Sequence, residues 1–159
     1  MASSSDKTRI GILGASGYTG AELLRILAHH PNTAIGALTA DRQAGKKIGA
    51  VFPHLARHDL PDLVAISDVD RSQLDLVFCC LPHGTTQDVI SALPAHLRVL
   101  DLSADFRLAD PEVYAKWYGH THRAVGLQRE AVYGLTEIAR SAIANARLVA
   151  VPGCYPTGA

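Results

Sequence analysis

A chain of 159 residues that is 48% hydrophobic and 19% charged has enough apolar material for one ordinary domain with a sizeable core, which excludes a disordered protein. Its 15 basic and 15 acidic residues cancel to a net charge of zero, which argues against a nucleic-acid binder working through bulk charge. No apolar run approaches the ~20 residues that span a bilayer. Three cysteines, two of them adjacent, make a poor disulfide framework and point to a reducing, cytoplasmic compartment.

Residues 1–7 (Met-Ala-Ser-Ser-Ser-Asp-Lys) lack the apolar core of a secretory signal and read as a short disordered tail. Arg9 to Leu13 is short, apolar and followed by glycines, as in a buried parallel strand. From Tyr18 to His30, Leu23, Leu24, Ile26 and Leu27 recur at helical spacing until Pro31 and Asn32 stop the pattern. Thr33 to Ala40 reads as a second strand, and 41–61 as an irregular excursion. Leu74 to Leu81 is a strongly apolar strand ended by Pro82, His83 and Gly84. A helix over Thr85 to Leu93 and a strand over Arg98 to Leu102 follow. Pro111 to Tyr118 is a helix capped by Asp110, Glu137 to Asn145 another, and Arg147 to Val151 a last strand. There is no internal repeat.

Strand and helix alternating from the start predict an α/β fold, a doubly wound parallel sheet of the Rossmann type. Ligands of such a sheet sit at the carboxyl ends of its strands. The first strand runs there into Gly14-Ala15-Ser16-Gly17-Tyr18-Thr19-Gly20, a Gly-x-x-Gly-x-x-Gly variant of the dinucleotide fingerprint. Gly14 and Gly17 let the backbone approach a pyrophosphate, and the helix start supplies unpaired N–H groups and partial positive charge. The second strand should end at the adenosine ribose. There the sequence reads Thr39-Ala40-Asp41-Arg42, then Lys46-Lys47: Asp41 favours a free 2′-hydroxyl, whereas Arg42 with a lysine favours a 2′-phosphate. A dianionic phosphate facing several cations outweighs one carboxylate, so NADP is expected over NAD.

Cys154, in Val-Pro-Gly-Cys-Tyr-Pro-Thr (151–157), follows a strand and precedes a helix start, where the helix dipole favours a thiolate nucleophile. Cys79 and Cys80 lie within an apolar strand and read as structural. Ser103 and Arg107 follow another strand, and the arginine is able to grip a phosphate or carboxylate in bidentate fashion. Pro82 and His83 end the strongest strand, within reach of a nicotinamide. The pairs His54/His58 and His120/His122 have no Cys or carboxylate to complete a metal site, and no metal is expected.

Five motifs in order, Gly-Ala-Ser-Gly-Tyr-Thr-Gly (14–20), Leu-Pro-His-Gly (81–84), Leu-Ser-Ala-Asp-Phe-Arg-Leu (102–108), Tyr-Gly-Leu-Thr-Glu (133–137) and Pro-Gly-Cys-Tyr-Pro-Thr (152–157), resemble the N-acetyl-gamma-glutamyl-phosphate reductase family of arginine biosynthesis, which is related to aspartate-semialdehyde dehydrogenase. The resemblance implies a cysteine, here Cys154, that attacks an acyl phosphate to form a thioester, which NADPH then reduces to a semialdehyde. It implies that residues 14–20 cradle the pyrophosphate, that Pro82 and His83 line the nicotinamide end, and that Arg107, with Ser103, holds substrate.

Family members continue into a substrate-binding and dimerising domain that supplies an acid/base histidine, to which none of the eight histidines here corresponds. The expected organisation is therefore a tail over 1–7, an NADP-binding domain over 8–153, and the start of a catalytic domain over 154–159. Such a chain should bind NADPH, weakly at best, without turnover. Its partner is a small acyl phosphate rather than nucleic acid or membrane, and a homo-oligomer is expected only of the full-length protein. The competing readings are a reductase of aspartyl or carrier-linked aminoadipyl phosphate, and a non-catalytic dinucleotide-binding module.

Overall fold

The first apolar run becomes β1 (Thr8–Leu13), with Ile10, Ile12 and Leu13 almost completely buried. It belongs to a computed structural model that describes residues 7–159, so the tail expected over 1–7 lies outside the described residues except for Lys7. The chain divides into two units, one up to Cys80 and one spanning Leu81–Ala159.

In the first unit, β1 leads into α1 (Tyr18–Leu27) and β2 (Thr33–Thr39). Then come a single turn α2 (Ile48–Val51), a 3₁₀ turn at Pro53–Leu55, β3 (Leu63–Val64) and, after two more 3₁₀ turns, β4 (Leu76–Cys79). The four strands are parallel, in the order β3-β2-β1-β4. From β1 the chain steps outward to β2 and β3, then returns to the other side of β1. The carboxyl ends of β1 and β4 thus border a topological switch point, where open α/β sheets hold their ligands. Leu24 of α1 is fully buried with Ile12, Leu38, Leu55 and Leu63, each worth ~1.5–3 kcal/mol of transfer free energy. Ile26, expected on the apolar face of α1, is instead 52% exposed. The 41–61 excursion holds α2 and the 3₁₀ turn. The two-residue β3 just beyond it is too short to show a period of 2.

In the second unit, α3 (Thr86–Ser91), β5 (Arg98–Asp101) and α4 (Pro111–Tyr118) match the expected elements to within a residue or two at their ends. The Asp110 side chain accepts the Glu112 N–H at 2.8 Å, Pro111 opens the helix, and Gly119 closes it at φ +76°, a left-handed conformation that suits glycine. Then follow α5 (Val125–Glu130), β6 (Val132–Tyr133), α6 (Thr136–Asn145), β7 (Leu148–Ala150) and α7 (Cys154–Gly158). Strands β5, β7 and β6 pair in parallel with β7 central and wholly buried. The expected helix at 137–145 starts one residue earlier and kinks at Ala139. Among the described residues, no helix is long and apolar enough to cross a membrane.

Candidate functional site

In the first unit the glycine loop leaves β1 at the switch point. Gly14 turns the chain at φ +86°, its N–H donating to Thr39 Oγ1 at 3.0 Å, while the Ala15 N–H donates to the Thr39 carbonyl at 2.8 Å. Thr39 is 2% exposed, so it shapes the loop from β2 and presents no side-chain atom outward. A Cβ on Gly20 would lie 2.7 Å from Ala15 Cα and 2.8 Å from the Gly14 carbonyl oxygen, so α1 presses directly on the loop backbone. Ala15 is buried beneath the loop and Ser16 half-buried, while Gly17, Tyr18 and Thr19 are exposed at the helix start. No side chain caps α1, which leaves its first-turn N–H groups available to an anion such as a pyrophosphate.

Asp41, Arg42 and Lys46 follow β2 and are exposed, and neither Arg42 nor Lys46 is in an ion pair among the described residues. Lys47 is instead paired with Asp62 at 3.2 Å. The segment is anchored by its backbone, with the Gly45 N–H on the Leu63 carbonyl at 2.7 Å and the Leu63 N–H on Lys46 O at 2.9 Å. Two cations are thereby held beside the end of β2, where a ribose phosphate would be read.

The second unit holds Cys154 and Arg107 in one open cleft of about 590 Å³, with Leu108, Tyr118, Tyr133 and Tyr155 around them. Cys154 is the exposed first residue of α7, with Gly153 at the N-cap position. Arg107 is held by its own unit: Nε donates to Val151 O at 2.8 Å and one terminal nitrogen, Nη2, to Leu102 O at 3.0 Å. The other terminal nitrogen, Nη1, lies against Gly153, only 3.1 Å from where a Cβ there would sit. A fixed guanidinium beside an exposed thiol is suited to an anionic electrophile. Sequence reasoning did not single out Tyr118 or Tyr133 for this cleft. Tyr133 falls within one of the ordered motifs, and Gly134 behind it packs on β7 so closely that a Cβ would meet Val149 at 2.7 Å.

Ser103 is not at the cleft. It is 5% exposed, and its hydroxyl lies 2.6 Å from Asp101 Oδ2 and 2.8 Å from Thr86 Oγ1. The physical reason is the tight turn after β5, which folds Ser103 back onto Asp101. Pro82 and His83 are exposed, with the His83 ring tilted against Tyr118 at 6.1 Å. Their turn is held at Gly84 (φ +82°), whose N–H points at both Asp105 oxygens, 2.8 and 2.9 Å away, and whose carbonyl accepts from Arg123 at 2.6 Å. Asp105 also accepts from Thr86 at 2.6 Å and Tyr114 at 2.7 Å. Burial alone raises the Asp105 carboxyl, but these donors together outweigh it and hold the group below its ordinary range. For Asp101 burial wins, and its carboxyl is pushed up to about 6. Asp105 lies inside the 102–108 motif, but nothing in a sequence marks an aspartate as a buried anchor.

The semialdehyde dehydrogenase NAD-binding domain matches residues 9–146, most of the chain, and contains the glycine loop, the 82–84 turn and Arg107. This chain belongs to that family. Within it, the chain is 64% identical to a probable chloroplastic N-acetyl-gamma-glutamyl-phosphate reductase of Oryza sativa subsp. japonica, over 97% of this chain and 37% of the relative. It is 63% identical to the N-acetyl-gamma-glutamyl-phosphate reductase of Rhodospirillum rubrum, over 98% of this chain and 46% of the relative. The chain therefore spans less than half the length of these curated relatives. Among solved structures, it resembles aspartate semialdehyde dehydrogenase II of Vibrio cholerae with a TM-score of 0.65 at 18% identity, over 95% of this chain and 43% of that one. That likeness concerns the fold. Cys154 lies beyond the family match.

Proposed function

We propose that this semialdehyde dehydrogenase-type chain forms the cofactor-binding and nucleophile-bearing part of an NADPH-dependent N-acetyl-gamma-glutamyl-phosphate reductase. The observation that carries the reading is the exposed Cys154 thiol beside the anchored Arg107 in one cleft. The two relatives named for that activity support the choice of acyl phosphate.

The loop of Gly14, Ala15, Ser16, Gly17, Tyr18 and Thr19 fits a pyrophosphate by its left-handed turn, its excluded Cβ at Gly20 and its uncapped helix start. Arg42 and Lys46 would hold the 2′-phosphate, and Pro82 and His83 would border the nicotinamide. NADPH, when bound, supplies the hydride. Cys154, as thiolate, attacks the acyl carbon, and the carbon–oxygen bond to phosphate breaks to release inorganic phosphate and leave a thioester. Arg107 neutralises the departing phosphate or grips the substrate carboxylate. With hydride added to the thioester carbon, its oxygen is an alkoxide; as the C=O bond reforms the C–S bond breaks, and Cys154 returns to thiolate as the semialdehyde leaves. The adjacent Cys79 and Cys80 and the need for a reduced nucleophile suit the cytoplasm.

The test replaces the corresponding segment of the Rhodospirillum rubrum reductase with this chain. The hybrid should oxidise NADPH and release phosphate from N-acetylglutamyl phosphate. Cys154→Ser should abolish turnover and the substrate-derived mass adduct on residue 154, with NADPH binding retained. A hybrid that still turns over with serine at 154 would sink the covalent mechanism.

A further inference from the structure

Four oxygen atoms in the second unit form an unbroken line: Asp101 Oδ2, Ser103 Oγ, Thr86 Oγ1 and Asp105 Oδ2, separated by 2.6, 2.8 and 2.6 Å. All four residues are buried, with Asp101, Thr86 and Asp105 at 0% exposure. Each of the three contacts needs a proton between its oxygens, because two bare lone pairs at such distances repel. The two hydroxyls supply two protons. If both carboxyls were ionised, one contact would have none.

The neighbouring donors decide where the third proton sits. Asp105 already accepts from the Gly84 N–H, from Tyr114 and from Thr86, and is satisfied as an anion. Asp101 receives only the Ser103 N–H, on its other oxygen, besides its contact with the Ser103 hydroxyl. A proton on Asp101 Oδ2 orients every group: Asp101 donates to Ser103, Ser103 to Thr86, and Thr86 to Asp105. Ser103 Oγ also accepts the Asp105 N–H at 3.1 Å, which fills its second lone pair. The alternative, Ser103 donating to Asp101, forces Thr86 to abandon either Ser103 or Asp105.

We propose that Asp101 is held as a neutral carboxylic acid whose proton completes a one-way relay through Ser103 and Thr86 to Asp105, and that the Asp105 carboxylate is the positioning residue that fixes the Pro82–Gly84 turn. The relay rests on hydrogen-bond bookkeeping within the second unit and is independent of the reductase reading. Burial raises the Asp101 carboxyl to about 6, in the same direction. The charged and titratable groups around the pair fit this assignment. Arg107 favours the ionised form of Asp101 but spends two of its nitrogens on carbonyls, and β7 opposes Asp101 with the apolar Ala150. Around Asp105 stand Tyr114 and His120 of the α4 region, the Arg123–Asp88 pair, and His122, whose Nδ1 accepts the Ala124 N–H and whose Nε2–H then donates to Asp105 O at 2.9 Å.

The test is a carbon-13 carboxyl titration of the full chain, with the hydrogen-exchange protection of the Gly84 amide followed in parallel. Asp101 should lose its proton near or above pH 6, and Gly84 protection should fall over the same range by roughly ten- to a hundredfold, the equivalent of one hydrogen bond to a charged acceptor. Asp101→Asn, whose amide donates permanently to Ser103 while its carbonyl accepts the Ser103 N–H, should fold and keep Gly84 protected at every pH. Asp105→Asn, which sets an N–H₂ group against surrounding donors, should lose protection at every pH or fail to fold. An Asp101 carboxyl that titrates in the ordinary range, pH-independent Gly84 protection in the unsubstituted chain, or an Asp101→Asn chain that unfolds would each overturn the relay.

Discussion

Arg107 braces the structure, and in the proposed reaction it also binds substrate. Its Nε and Nη2 are bonded to the carbonyls of Val151 and Leu102, which ties the strand end before Cys154 to the loop after β5. That leaves Nη1, which lies against Gly153, as the nitrogen that would meet an anion in the proposed reaction. A lysine has one point-like ammonium and cannot make both carbonyl bonds and present a further directed donor. Arg107→Lys in the hybrid reductase should therefore raise KM for the acyl phosphate roughly tenfold, as expected for a lost charge-assisted hydrogen bond, and leave the Kd for NADPH unchanged. Steady-state kinetics with a separate NADPH titration checks this. An unchanged KM would show that Arg107 only braces the loop.

At the scale of elements, the glycine loop works because a helix without a Cβ at one point can lie on the loop backbone. Gly20 has no room for a methyl group: its Cβ would meet main-chain atoms of Gly14 and Ala15, which cannot rotate away as a flexible side chain would. Gly20→Ala should cost about 1–3 kcal/mol by overpacking and weaken NADPH binding as the loop is pushed from its turn. Thermal melting and NADPH titration read the two effects. Gly17, where a Cβ would meet only the Gly14 carbonyl oxygen at 3.5 Å, should be far more tolerant in stability. The loop was legible in the sequence because strand, glycines and helix follow one another directly, and α4 because Asp110, Pro111 and Gly119 punctuate it. Elements α5, β3 and β6 escaped notice because six and two residues carry no readable period. At the site, Cys154 and Arg107 were readable as residue types beside strand ends. Ser103 looked equally polar and equally well placed in sequence, but the turn after β5 buries it. Such a difference arises from three-dimensional packing, and residue spacing does not encode it.

For the molecule as a whole, the two aspartates pull stability in opposite directions with pH. The Asp101 carboxyl is raised from 3.8 to about 6 in the folded chain, so the unfolded chain gives up this proton first as pH rises. Its stabilising contribution is full below its ordinary value and is lost as pH climbs to about 6, a change on the order of 3 kcal/mol. Asp105 is held low, so its contribution is present above the ordinary carboxylate range and lost as acid titrates it. His122 is lowered by burial; its contribution is likewise present above 6.5 and disappears as the pH falls and the unfolded imidazole takes up a proton that the folded one resists. A single melting curve sums all three groups, but the difference between Asp101→Asn and the unsubstituted chain cancels Asp105 and His122. That difference should be smallest in acid, grow in favour of the asparagine chain between about pH 4 and 6, and level off above. Denaturant unfolding at a series of pH values measures it directly. A difference that stays flat across the range would mean that Asp101 folds as an ordinary carboxylate, and the buried line of oxygens would then lack the proton its geometry requires.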